Sequence, residues 1–121
     1  MDVGKTLYVA SRDEWRRWLI KNHKKTKEIW LVYHKKGSGK PTLSVDEAVE
    51  EALCFGWIDS QIKPIDQCKY ASRFTPRRTG SAWSERNLSR VQELLKEGKM
   101  TPKGMAVLPR EIAEKVEKKE R

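Results

Sequence analysis

Asp59, Arg73 and Arg77, flanked by Trp57 and Trp83, are the residues whose types and spacing could do chemistry. They fall in one stretch, residues 52–84, reading ALCFGWIDSQIKPIDQCKYASRFTPRRTGSAWS. An acid, several guanidinium groups and two indoles beside a core are costly unless they pair or meet a ligand. Period-two alternation puts Trp57, Asp59, Gln61 and Lys63 on one face of a first strand. It puts Lys69, Ala71, Arg73, Thr75 and Arg77 on one face of a second. If the two polar faces coincide, Asp59 lies near Arg73. The chemistry expected is capture of an anionic or polar ligand, with Arg73 and Arg77 as forks and Trp57 or Trp83 as a stacking wall. Asp59 would orient an arginine or accept a ligand proton. Ser81 and Ser84, with Asn87, open the next helix, whose free amides suit an anion. The competing account is plainer. One serine is simply the N-cap, and the hairpin is a solvated face with a structural Asp-Arg pair.

Two strands and a turn must hold these groups. Trp57–Lys63 and Lys69–Arg77 read as an antiparallel hairpin turning through Pro64–Gln67. The preceding helix starts at Ser44, with Glu47 completing a capping box. Its Val45, Ala48, Val49, Ala52 and Leu53 form an unbroken i, i+3, i+4, i+7, i+8 stripe, with Asp46, Glu47, Glu50 and Glu51 on the opposite face. Gly56 suits the C′ position. Upstream, Leu7–Ala10 is a short strand. Ser11 and Glu14 start a helix carrying Trp15, Trp18 and Leu19 inward, and EIWLVYHK from Glu28 reads as a central strand. Downstream, residues 84–97 form a third helix ending at Gly98, and Thr101-Pro102 starts a short fourth. The order β-α-β-α-β-β-α predicts an α+β fold: a small, mainly antiparallel or mixed sheet with helices packed on it. Residues 1–109 make a single domain. Residues 110–121 form a charged helical or frayed C-terminal tail.

The chain has 121 residues and a formal charge of +9, which invites a nucleic-acid partner. The charge is blocked. Residues 12–40 hold ten bases against three acids, residues 41–59 hold five acids and no base, and residues 60–80 hold five bases against one acid. Part of the excess therefore neutralises internally. No reader motif accompanies it, so nucleic acid is the weaker partner and an anionic small molecule the stronger. KGSGKPT, residues 36–42, resembles a phosphate loop but fails its signature at His34 and Pro41. Lys35, Lys36 and Lys40 could still meet an anion as point charges. His23 and His34 make no local metal pair, Cys54 and Cys68 lack C-x-x-C spacing, and Cys54 reads as a small packed hydrophobe. No cofactor or metal is called for. An enzyme using Asp59 as acid/base is a third reading, short of a second titrating partner. The N-terminus lacks the apolar core of a signal peptide and no run is long enough to span a bilayer, so a cytoplasmic location is expected.

The runs SRDEWRRWLIKNH, EIWLVYHKKGSGK, EAVEEALCFGWIDS, RFTPRRTGSAWSERN and EGKMTPKGM cover about residues 11–105. Together they resemble the YdeI/OmpD-associated protein family, whose members are described as bacteriocin-protection proteins. The segments FGWIDS and RFTPR-x-x-x-S-x-WS carry the likeness. The resemblance implies a binding or stress-tolerance role. Its motif positions here are Trp57, Asp59, Ser60, Arg73, Thr75, Pro76, Arg77, Ser81, Trp83, Ser84 and Asn87, none with an implied catalytic role.

Overall fold

The computed structural model describes residues 4–78, 80 and 82–112. Strand β1 (Thr6–Tyr8) leads to helix α1 (Arg12–Asn22), strand β2 (Ile29–His34) and helix α2 (Val45–Cys54). The hairpin β3 (Trp57–Pro64) and β4 (Lys69–Pro76) follows, then helices α3 (Glu85–Lys96) and α4 (Pro102–Ala106). The sheet order is β1-β2-β4-β3, with β1 parallel to β2 and the other pairs antiparallel. This is the expected α+β fold with a mixed sheet. Residues 110–112 turn helically again, and Ile112 is buried in the main core. The rest of the expected tail, 113–121, lies outside the described residues.

Local signals set the helix starts. Ser11, Ser44 and Ser84 each accept a hydrogen bond from the amide three residues on, and Ser44 with Glu47 forms a complete capping box. Gly56 takes φ 74° after α2, the left-handed conformation a glycine adopts without steric cost. Its stripe is buried as expected: Val49 is 2% and Leu53 1% exposed.

Helix α2 is the centre of the helical layer and touches α1, β3, α3 and α4. The main core lies between this layer and the sheet side carrying Ile29, Leu31, Tyr33, Trp57 and Phe74. Trp15 is fully buried there, donates its indole N–H to the Ala48 carbonyl at 2.9 Å, and stacks on Trp18. Tyr33 and Ser72 share a buried hydroxyl–hydroxyl bond of 2.8 Å. The other side of the sheet carries a separate small cluster of Trp30, Val32 and Ala71, joined by Ile65.

Helix α4 is short and docks end-on. The Thr101 amide and hydroxyl both donate to the Cys54 carbonyl, at 3.0 and 2.6 Å, closing the end of α2. Gly104 packs so near that a Cβ there would come within 2.3 Å of that carbonyl oxygen. Only glycine permits this approach.

Candidate functional site

The pairing register decides which hairpin side chains meet. Residues paired across antiparallel strands share a face. Asp59 pairs with Phe74, a core residue, whereas Arg73 pairs with Trp30 on the opposite face. The expected convergence of Asp59 and Arg73 therefore does not occur. Between Asp59 and Ile62 the register shifts by a bulge, so the strict alternation assumed for Trp57, Asp59, Gln61 and Lys63 is broken. Lys63 joins Arg73 on the outer face, while Trp57 and Asp59 stay on the helix-covered face.

Arg73 donates from Nε to Glu28 at 2.5 Å and reaches Ser60 Oγ at 3.5 Å. That hydrogen bond holds the Glu28 carboxyl below the usual carboxylate range. Asp59 is half-buried near Tyr33. Burial pushes the Tyr33 phenol well up; the Ser72 bond works against this and the Asp59 charge adds to it. Trp57 is 1% exposed and meets Trp18 edge-on at 6.0 Å, so it is a core residue and not a pocket wall.

Arg77 and Trp83 do come together. The Arg77 guanidinium lies 3.8 Å from the centre of the Trp83 ring, and Nη2 donates to the Ala82 carbonyl. The Arg77 backbone amide donates to Gly56 at 2.7 Å, fixing the chain where it leaves β4. The Trp83 ring packs against the main core. Arg77 Nε is buried with no hydrogen-bond partner among the described residues. Burial lowers the Arg77 pKa, and no neighbour among the described residues offsets that shift. Ser84 is the N-cap of α3, bonded to the Asn87 amide at 3.1 Å, and Asn87 Oδ1 accepts from Arg90. Both are engaged within the helix. Ser81 lies outside the described residues.

Sequence reasoning missed a second charged cluster. Glu51, expected on the solvent face of α2, is 2% exposed. Arg12 Nη2 reaches it at 2.6 Å and Arg16 Nη1 at 2.9 Å; Arg16 also donates to the Lys99 carbonyl and lies over the Phe55 ring. Burial, the largest single influence, works to lower both guanidinium pKa values, but the hydrogen bonds and charges of Glu51, joined by Glu50 at Arg12 and by Cys54 at Arg16, together outweigh it and raise them. The signal was present: Arg12 and Arg16 are one turn apart on α1, opposite an acid at the edge of an apolar stripe. What hid it was the number of elements packed around α2.

A polar groove of about 520 Å³ runs between α2 and α3, lined by Asp46, Glu50, Arg86, Arg90, Glu93 and Glu97. Asp46 accepts from both Arg86 and Arg90 there. Among the described residues no group of three or more His, Cys, Asp or Glu is placed to hold a metal ion. No described helix is long and apolar enough to cross a membrane.

The comparisons add one finding to this geometry. No curated protein and no solved structure matches the chain. A family profile matches residues 7–107, from within β1 through α4, which takes in both charged clusters and all of the sheet but Thr6. On that match the chain belongs to the family described as a domain of unknown function, DUF8412.

Proposed function

We propose that this chain is a small cytoplasmic binding or stress-tolerance domain that takes an anionic ligand at the corner formed by Arg77 and Trp83. One observation carries the reading. Five arginines among the described residues are half-buried: Arg12, Arg16, Arg73, Arg77 and Arg90. Four have a carboxylate within ion-pair distance, and Arg77 has none among the described residues. A guanidinium partly stripped of water and held over an indole is pre-organised for an anion, because its desolvation and ordering costs are already met in the fold. Trp83 supplies a flat apolar wall for the ligand's body. Asp59 and Arg73 drop out of the ligand set on this reading, and Ser84 and Asn87 serve to place the start of α3. The resemblance of FGWIDS and RFTPR to the YdeI/OmpD-associated proteins points the biological role toward bacteriocin protection.

The test is a titration followed by NMR. Phosphate, nucleoside monophosphates and small polycarboxylates are added separately, reading the Trp83 indole N–H and the Arg77 Nε–H. At least one class is expected to give saturable shifts at both, lost in Arg77→Met. Shifts that never saturate, or that survive in Arg77→Met, would overturn the assignment.

A further inference from the structure

All the helices that build the main core pack on one face of the sheet. The apolar side chains of the other face are also buried: Trp30 is 3%, Val32 8% and Ala71 0% exposed. Lys63 lies over the Trp30 ring at 5.6 Å, Arg73 pairs with Trp30 across the strands, and Gly4 backs onto its edge. Little apolar area is therefore left for a protein partner to cover. What this face presents instead is charge and one open ring. Lys63, Lys69 and Arg73 project from the strands, and Lys5, Lys35 and Lys36 stand at the rim. The Lys5 carbonyl bonds the Trp30 amide, and the Lys35 amide bonds the Cys68 carbonyl, tying both rim segments to the sheet. Among the described residues, Glu28 pairs with Arg73 and Asp66 with Lys69. Tyr8 pairs with Val32 on this face, is 42% exposed, and is braced edge-on by His34 at 4.7 Å. Its hydroxyl donates to the Pro41 carbonyl, which fixes the ring beside the loop of Lys35 and Lys36.

We propose that this face binds single-stranded nucleic acid, with Tyr8 stacking a base and the lysines following the phosphates. A braced ring on the edge strand of a basic four-stranded sheet offers both parts of single-strand recognition, a π-face and an electrostatic track. A duplex has no free base face for Tyr8, and an acidic peptide has no ring to stack on it. This surface is separate from the Arg77 corner, because Trp83 packs against the core on the helix-covered side.

Fluorescence anisotropy with a labelled oligouridylate of about eight nucleotides tests the proposal. Saturable binding is expected at low salt, with log K falling against log salt at a slope of about −2 to −3 for three or four phosphate contacts. Tyr8→Ala should weaken binding about tenfold while Tyr8→Phe keeps it. Lys69→Glu, a change at a strand surface, should weaken binding and flatten the salt slope. Arg77→Met should leave affinity unchanged, which separates this surface from the small-anion corner. Duplex binding as tight as single-strand binding, equal competition by polyglutamate, or a Tyr8→Ala protein indistinguishable from the parent would each overturn it.

Discussion

Glu51 and Arg77 are both ionised groups drawn partly or wholly out of water, and the protein treats them oppositely. Glu51 is 3% exposed at its side chain and is held by two arginines, both aimed from one face of α1. Arg77 has an indole under it, one carbonyl on Nη2, and a buried Nε without a partner among the described residues. The first cluster is closed: its charges cancel inside the fold, and its role is to lock α1 onto α2. The second is open: no carboxylate among the described residues pairs with it. Burial of charge alone does not mark a site; burial without an internal counter-charge does.

Removing the acid from the closed cluster should have the largest effect. Glu51→Ala leaves Arg12 and Arg16 facing each other over a cavity, and a loss of about 3 kcal/mol is expected in urea melts. A loss below about 1 kcal/mol would mean that both arginines swing into solvent at little cost, and the cluster would not be the lock described.

Alkali should attack the closed interior next. Burial raises the Tyr33 phenol and the Cys54 thiol above their ordinary values of 10.0 and 9.0. A group whose folded pKa is raised contributes stability below its unfolded pKa and loses it as pH climbs toward the folded one. The melting temperature should therefore hold to about pH 9 and fall steadily above it. Tyr33→Phe should shallow that fall, though it leaves the Ser72 hydroxyl without its bond. An unchanged slope in Tyr33→Phe would place the alkaline loss elsewhere.

Arg73→Ala should matter less, under about 1 kcal/mol, because its pair with Glu28 is more than a third exposed on both sides. Arg77→Met should matter least for stability, within about 0.5 kcal/mol in either direction. Methionine keeps packing on Trp83 and removes a desolvated charge, while the cation–π contact and the bond to Ala82 are lost. A large loss there would move Arg77 into the closed class and remove the reason to look for a ligand at it.

Much of the fold was legible because its signals are local. Three serines with the right residues behind them set three helix starts, the α2 stripe found its core, and Thr101-Pro102 opened a helix as expected. Less of the site was legible, because its geometry depends on register. Whether Asp59 faces Arg73 or Phe74 is set by how two strands slide past each other, and a bulge between Asp59 and Ile62 leaves no sharp mark in the residues themselves. Glu51 was misplaced for a related reason: a polar residue at the edge of a stripe is solvated only when no further element packs beside it. Arg77 and Trp83 could be paired from sequence because a short loop joins them, and nearness along the chain needs no register.

The docking of α4 against the end of α2 has a consequence for the order in which the chain folds. Five residues cannot hold a helix unaided. Its anchor, the Cys54 carbonyl, takes its place only once α2 has ended, and the contact from Thr101 spans 47 residues. This junction should therefore close after the main barrier has been crossed. Thr101→Ala, which removes the N-cap hydroxyl and its bond to Cys54, should speed unfolding several-fold and leave the refolding rate nearly unchanged. Stopped-flow refolding and unfolding in urea separate the two arms, and a slowed refolding arm would place this short helix in the nucleus instead.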